Sequence, residues 1–390
     1  MGVNRKLSWL PVAFYFNISK LLYRRDRTLW VYGALAGNKY DDNAKYLYEY
    51  VNAHYSDRVR SVWLAANENV VAEARKSGGE AYTFTSSKGK EVARKAGVAI
   101  YTHALDDFGA CPHVGGAKLV FLGHGVGFKQ TYNAKRHGVG LWLKGLSDRV
   151  FSWIQRDITI ATSEYNKAER KKIAGLSDDS HIFITGQPRN DIINLPIDRK
   201  KLYQNIGVET TKKIVLYMPT YRNSSGGQDI METMIRALYE SRELRNRLKA
   251  DNLVFVVKLH PLTPQINLER RDDFIVLGYQ AVKSIQELQC VSDVLITDYS
   301  SCCVDFALTG KPVVFYLPDE EWFTHHSEQV SEEFHWVSNK NRCTTPEDLA
   351  ECIAQRSLAA TEAINELFED LSIKGTCYSE NVYRVINSHE

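Results

Sequence analysis

Four short stretches of this 390-residue chain combine residue types that can bind phosphate or move a proton. The densest is Thr297-Asp298-Tyr299-Ser300-Ser301. It closes an apolar run at 294–297 and precedes Val304, Ala307 and Leu308, which recur at helical spacing. Gly310 is placed to end that helix and Pro312 to open the next strand. Ser300 and Ser301 therefore stand at a helix N-terminus, where free backbone N–H groups, the helix dipole and two hydroxyls converge on an anion. One capping residue would serve a helix start; five polar or hydroxylated residues in a row exceed that need. Lys258-Leu259-His260-Pro261 ends a second apolar run. Lys258 can hold phosphate as a point charge, and His260 can donate a hydrogen bond to a leaving phosphate. Pro219-Thr220-Tyr221-Arg222 ends a third, and an arginine there can fork onto a phosphate or a carboxylate. The fourth stretch is Gly123-His124-Gly125-Val126-Gly127. Its glycines let the backbone approach a ligand, and an uncrowded imidazole is the usual general base at neutral pH.

Other chemistries find little support. The glycines around His124 do not match the dinucleotide fingerprint, and no GxxxxGK[ST], HExxH or GxSxG pattern occurs. His325-His326 lacks carboxylate spacing, so no metal site is expected. The seven cysteines form no CxxC pair, which fits a reducing compartment, and Cys302 and Cys303 read as core. A formal net charge of +2 gives no global field for nucleic acid. No run of about twenty apolar residues is present to span a membrane. Two segments instead mix Trp, Phe and Leu with Lys and Arg as interfacial helices do. One holds Trp9, Leu10, Phe14 and Phe16 between Arg5-Lys6 and Lys20, Arg24, Arg25; the other is 135–156. They predict a cytoplasmic protein resting on the inner face of a membrane. Pro11 and Asn17 break the first segment and no small-residue cleavage site follows, which argues against a signal peptide.

Loops of this kind need strands to carry them. Short apolar strands are expected at 28–34, 59–64, 81–85, 98–102 and 118–122, with helical segments between them. Asp41 or Asp42 can cap the first of these helices. The rhythm restarts with strands at 213–217, 253–258, 274–277, 294–297 and 313–317, a charged helix at 229–248, and a long closing helix at 347–371. This pattern predicts an α/β chain of two Rossmann-like domains with parallel sheets facing across a cleft. Ligands of such sheets bind outside the carboxyl ends of the strands. The expected layout is an amphipathic segment at 1–27, a first domain at 28–185, a second at 186–371, and a tail at 372–390 that returns to the first. Gly186, Pro188, Arg189 and Asn190 form the hinge candidate.

Taken in order, His124-Gly125, 186–191, 219–222, 258–261, and 296–301 continuing through Asp305-Phe306-Ala307 to Lys311-Pro312 and Tyr316 resemble the CDP-glycerol glycerophosphotransferase family. That family includes teichoic acid primases and polymerases. The resemblance spans roughly residues 100 to 320 and implies a GT-B-like fold. It implies His124 as general base on the acceptor hydroxyl, with Arg222, His260, Ser300 and Ser301 holding the donor diphosphate. It makes Asp319 a candidate for the donor ribose. The implied reaction transfers glycerol phosphate from CDP-glycerol to a lipid-linked or polymeric acceptor, releasing CMP. The cofactor expectation is none tightly bound, with Mg²⁺ on the donor diphosphate left open. Phe121-Leu122-Gly123 stands where a tryptophan is common, and Val126-Gly127-Phe128 replaces a Thr-Pro type sequence. The chain is expected to correspond to the short members, without the extra N-terminal domain of long polymerases. A glycosyltransferase using a nucleotide sugar, a CDP-ribitol-dependent transferase and a non-catalytic surface-binding protein remain the alternatives.

Overall fold

The computed structural model describes residues 10–110, 113–128, 156–174, 178–222, 224, 226–260, 262–278, 281–282, 284–326 and 329–389, with the backbone alone at 10–13. Arg5, Lys6, Trp9, Cys111, Pro261 and all of 135–156 except Arg156 lie outside it. The chain divides into two compact units. The first takes the described residues up to His124, those from 156 to Asp191, and those from Asp370 onward; the second holds 125–128 and Ile192–Glu369. The first passage to the second unit thus falls directly after His124.

The first unit is built on Asp26–Gly33 (β1), Arg60–Ala65 (β2), Glu80–Thr83 (β3), Ala96–Tyr101 (β4), Lys118–Phe121 (β5), Ile158–Ala161 (β6) and Ile182–Ile184 (β7). They form one parallel sheet in the order β3-β2-β1-β4-β5-β6-β7. Side chains alternate between its faces. Trp30, Tyr32, Trp63 and Ile100 enter one apolar cluster, while Leu29, Val31, Val62, Leu64 and Ala99 enter another. Burial on both faces explains why these strands read as continuous apolar runs. The helix Tyr378–Ser388 belongs to this unit. Its Val382, Tyr383 and Ile386 join the first cluster, and Tyr383 stacks on Tyr55 at 3.7 Å. Asp191 accepts the backbone N–H groups of Tyr378 and Ser379 at 2.6 and 2.9 Å and so starts that helix from outside.

The second unit is built on Lys213–Met218 (β8), Leu253–Lys258 (β9), Phe274–Leu277 (β10), Val294–Thr297 (β11), Val313–Tyr316 (β12) and Arg342–Cys343 (β13). Its parallel order is β10-β9-β8-β11-β12-β13, the dinucleotide-fold order. The reading of two Rossmann-like units therefore holds. The switch point, where strand order reverses, lies between β8 and β11, the strands that lead into Pro219–Arg222 and Asp298–Ser301.

Two long helices expected from sequence are each broken. The run at 229–248 is Gly227–Glu240 followed by Arg242–Ala250. Ser241 takes extended geometry between them and accepts the Leu244 N–H, so it caps the second helix. The run at 347–371 is Pro346–Gln355 and Ala359–Phe368, divided where Arg356 turns left-handed. Strands β6, β7 and β13 were not anticipated; each is four residues or fewer. Cys302 and Cys303 are buried, as core residues should be.

Candidate active site

In the second unit the strand-end loops are tied by one buried ion cluster. The Arg222 guanidinium donates from Nε to Asp319 at 2.8 Å, and from Nη2 to Asp298 at 2.8 Å and Asp319 at 3.1 Å. Its Nη1 donates to the Thr220 carbonyl at 2.6 Å. Asp298 also accepts the Thr220 N–H at 2.8 Å, and the Thr297 hydroxyl donates to the Met218 carbonyl at 2.9 Å. The side chains of Arg222 and Asp298 are fully buried. Burial alone would lower the arginine pKa, but the two carboxylates outweigh it and raise it. Arg222 also lies 5.0 Å from the Phe323 ring centroid, and Phe323 stacks on Tyr299 at 3.7 Å.

Of the residues expected to meet the donor, Arg222 is engaged by two carboxylates and a carbonyl. Thr297, Asp298 and Asp319 are likewise engaged inside the protein. Together they fix the loops after β8 and β11 and that after β12. Lys258 is buried, with its ammonium 3.3 Å from the Leu259 carbonyl rather than projecting as a point charge.

The remaining residues of these loops are less withdrawn. Ser300 and Ser301 are half-buried. Ser301 makes no side-chain capping bond, and Ser300 Oγ receives only a long bond from the Cys302 N–H at 3.4 Å. Ordinary capping therefore does not account for the two hydroxyls. His260 is exposed and stacks on Tyr221 at 5.5 Å. Its Nδ1 accepts the Leu262 N–H at 3.2 Å, which assigns the proton of the neutral ring to Nε2. Gly127 approaches this loop closely. A Cβ there would sit 2.9 Å from the Ser301 Cβ, so the residue facing Ser301 must be small. Phe128 anchors the segment, packing edge-on to Phe334 and Phe368.

In the first unit, His124 follows β5 on an exposed loop. Its ring stacks on His103 at 4.1 Å and 11°. Its carbonyl accepts Arg189 Nη1 at 2.9 Å. The same Arg189 nitrogen donates to Asp42 at 2.9 Å. Asn43 donates to the Gly123 carbonyl at 2.9 Å and accepts the Arg189 N–H at 3.2 Å. Asp42 thus faces Arg189, and neither Asp41 nor Asp42 caps its helix by a side-chain bond to an interior amide. Desolvation lowers the His124 pKa, His103 and Arg189 lower it further, and Asp42 and a bond to the Thr102 backbone oppose them. Gly186, Pro188, Arg189 and Asn190 belong to this unit. Arg189 and Asn190 are buried, and a Cβ on Gly186 would meet the Tyr378 ring at 2.2 Å. Sequence reading missed the site role of Asp42 and Asn43, which open the helix Asp42–Tyr55 after β1, and of His103, in the loop after β4. Their position beside the reversal of strand order in this sheet was the signal available.

Two doubly wound parallel units, with a glycine-flanked histidine on one and a hydroxylated strand-end loop on the other, define a GT-B-like protein. Within that class the chain belongs to the CDP-Glycerol:Poly(glycerophosphate) glycerophosphotransferase family, whose profile matches residues 14–386. It is 33% identical over 143 residues to a teichoic acid poly(glycerol phosphate) polymerase of Bacillus spizizenii, covering 36% of each chain. It is 30% identical over 208 residues to a teichoic acid poly(ribitol-phosphate) polymerase of the same species, covering 52% of this chain and 32% of that one. These matches span about a third of the length of either relative. The structure of the wall teichoic acid polymerase TagF superposes with a TM-score of 0.72 at 20% identity, over 98% of this chain and 95% of that one. At that identity the likeness is one of fold.

Proposed function

We propose that this chain transfers glycerol phosphate from CDP-glycerol to a hydroxyl of a lipid-linked or polymeric acceptor, in teichoic-acid or capsule-type polymer synthesis, and releases CMP. The observation that carries the reading is the setting of His124. The residue sits on an exposed loop, with its imidazole stacked on His103, bonded to the Thr102 backbone and biased toward the neutral form that accepts a proton. The family supplies the donor. The acceptor oxygen attacks the phosphorus that bears glycerol, His124 takes the hydroxyl proton, and the bond from that phosphorus to the CMP oxygen breaks in line. Phosphoryl transfer of this kind depends on positioning and charge stabilisation. Ser300, Ser301 and the Nε2–H of His260 would hold the donor diphosphate and the departing phosphate. Arg222, Asp298 and Asp319 act as positioning residues behind them. No tightly bound cofactor is called for, and Mg²⁺ carried in on the diphosphate would add charge neutralisation.

CMP release from CDP-glycerol, compared with release from CDP-ribitol and a UDP-sugar, tests the donor assignment. His124→Ala should lower turnover roughly 10²–10⁴-fold while CMP affinity stays near that of the wild type. Near-normal turnover in that variant would remove His124 from the mechanism. CDP-ribitol is the second reading, favoured by the similarity to the ribitol-phosphate polymerase.

We also infer residence on the cytoplasmic surface of a membrane. No helix among the described residues is long and apolar enough to cross one. The support is the helix Leu10–Leu22: Phe14, Leu21 and Leu22 are 69%, 88% and 59% exposed, while Phe16 and Ser19 are buried on its other side. An apolar face turned outward beside the exposed Lys20 and Arg24 fits an anionic lipid surface, while Arg25 turns inward onto the Ala93 and Gly115 carbonyls. Replacing Phe14, Leu21 and Leu22 by serine should abolish co-sedimentation with anionic liposomes at low salt. Equal binding by that variant would end the idea.

A further inference from the structure

We propose that Arg156 and Arg170 form a binding site for a phosphate group of the acceptor, next to His124. The inference rests on His124 being the base for the acceptor hydroxyl. Arg170 lies on the helix Glu164–Ala174, and its guanidinium packs directly on the backbone of Gly123. A Cβ at Gly123 would stand 2.7 Å from its Nη2 and 3.0 Å from its Nη1, and Gly123 has a φ of +70°. The left-handed φ favours glycine, and any side chain there would push the Arg170 guanidinium away. Arg156 precedes β6, is exposed, and lays its guanidinium on the Phe121 ring at 3.7 Å; Arg170 stands 5.8 Å from the same ring. The two cations therefore gather at the end of β5, against Phe121 and Gly123, which lie three residues and one residue before His124.

Neither cation is neutralised. Among the described residues no carboxylate reaches salt-bridge distance of either guanidinium. Arg170 Nε donates to the amide oxygen of Asn166 at 3.2 Å, and Glu169 acts on it only at longer range. The nearby carboxylates are committed elsewhere: Asp157 accepts the Leu119 N–H at 2.6 Å, and Asp42 holds Arg189. Burial pushes the Arg170 guanidinium down to about 10, and Arg156 and Arg189 add to that shift. Holding like charges together in a desolvated place is unfavourable unless an anion joins them. An arginine stacked on an aromatic ring and a second beside it present fixed N–H forks suited to phosphate oxygens.

The acceptor is the ligand that fits. In a poly(glycerophosphate) chain the terminal hydroxyl lies one three-carbon unit from a phosphodiester. A base at His124 and a phosphate fork against Gly123 stand on consecutive residues, which suits a hydroxyl and a phosphate so closely linked. The diphosphate of a lipid-linked primer offers the same chemistry to the same fork, and the two sources are separated by experiment.

The test uses the full chain as wild type, Arg156→Ala, Arg170→Ala and Arg170→Lys, each checked by thermal melting. Steady-state rates are measured with a soluble glycerol phosphate oligomer and with a lipid-linked diphosphate primer as acceptors. Losing one charged fork should raise the acceptor KM roughly tenfold to a hundredfold, leave the CDP-glycerol KM unchanged, and be partly restored by Arg170→Lys. A rise confined to one acceptor identifies which phosphate source is read. An unchanged acceptor KM, or a rise in the CDP-glycerol KM instead, overturns the site. Arg156 is exposed, so its variant remains informative if Arg170→Ala fails to fold. Calorimetric titration of the oligomer onto each protein gives a readout independent of turnover. Should the wild type release no CMP, the functional reading falls, while weaker oligomer binding by the variants would still support the anion site.

Discussion

Arg222 is buried and Arg170 half-buried, and the protein treats them in opposite ways. Arg222, in the second unit, meets Asp298, Asp319 and a carbonyl, and its proton affinity rises. Arg170, in the first, meets an amide oxygen, a ring and other arginines, and its proton affinity falls. The first pattern is that of a structural tie. It joins three strand-end loops whose residues lie far apart in the chain, and with two carboxylates to one guanidinium it leaves no positive charge over for a ligand. The second pattern leaves a cation without an anion. Burial alone therefore does not identify a binding arginine; the local charge balance does.

The largest effect should come from breaking the matched cluster. Asp298→Ala leaves Arg222 buried with one of its two carboxylates gone and strands the Thr220 N–H. Removing one partner of a buried pair costs about 3–5 kcal/mol, so urea unfolding should show a loss of that size. A loss under about 1 kcal/mol, typical of a surface pair, would show that the cluster is not the tie described here. The unmatched arginine should behave differently. Arg170→Met keeps the aliphatic packing and removes a desolvated, uncompensated cation. Its unfolding free energy should stay within about 1 kcal/mol of wild type or increase. A loss comparable to that of Asp298→Ala would mean Arg170 is a structural tie as well.

Sequence disclosed the loops and left their wiring hidden. Polar and hydroxylated runs after apolar strands marked 219–222, 258–260 and 297–301, and glycines marked His124, because these signals are local. What Arg222 would touch was not local. Asp298 and Asp319 come to it only once β8, β11 and β12 lie side by side in the sheet. A charged residue at a strand end therefore read as a ligand group, and its bracing bonds to two carboxylates stayed out of sight. Arg170 was hidden for the converse reason. Its helix carries Lys167, Glu169, Lys171 and Lys172 and reads as a solvated face, and the approach to Gly123 is a tertiary fact. Element type was legible almost throughout. Element ends failed where one residue decided them, as with Ser241 and Arg356.

The smallest expected effect follows the same shortage of negative charge to His124. Desolvation, His103 and Arg189 disfavour its protonated form, and Asp42 with the Thr102 bond only partly opposes them. The acid limb of kcat/KM should therefore fall below the ordinary imidazole value of about 6.5, so the base stays competent in mildly acidic buffer. His103→Asn removes the stacked imidazole and keeps a polar partner for the Thr102 hydroxyl, which lies 2.8 Å from His103 Nδ1. With the like charge gone, the limb should move up toward 6.5, by less than about one pH unit, whatever loss of the stacked ring does to the rate at pH 8. Stability should move in the matching direction. A histidine with a depressed folded-state pKa binds fewer protons folded than unfolded, so its contribution turns unfavourable as pH drops through 6.5 and vanishes above it. The loss of unfolding free energy between pH 8 and pH 5.5 should accordingly be smaller in His103→Asn than in wild type. Matched pH–rate profiles and denaturation curves of the two proteins measure both effects, and an acid limb that does not move would leave burial and Arg189 as the causes of the His124 shift.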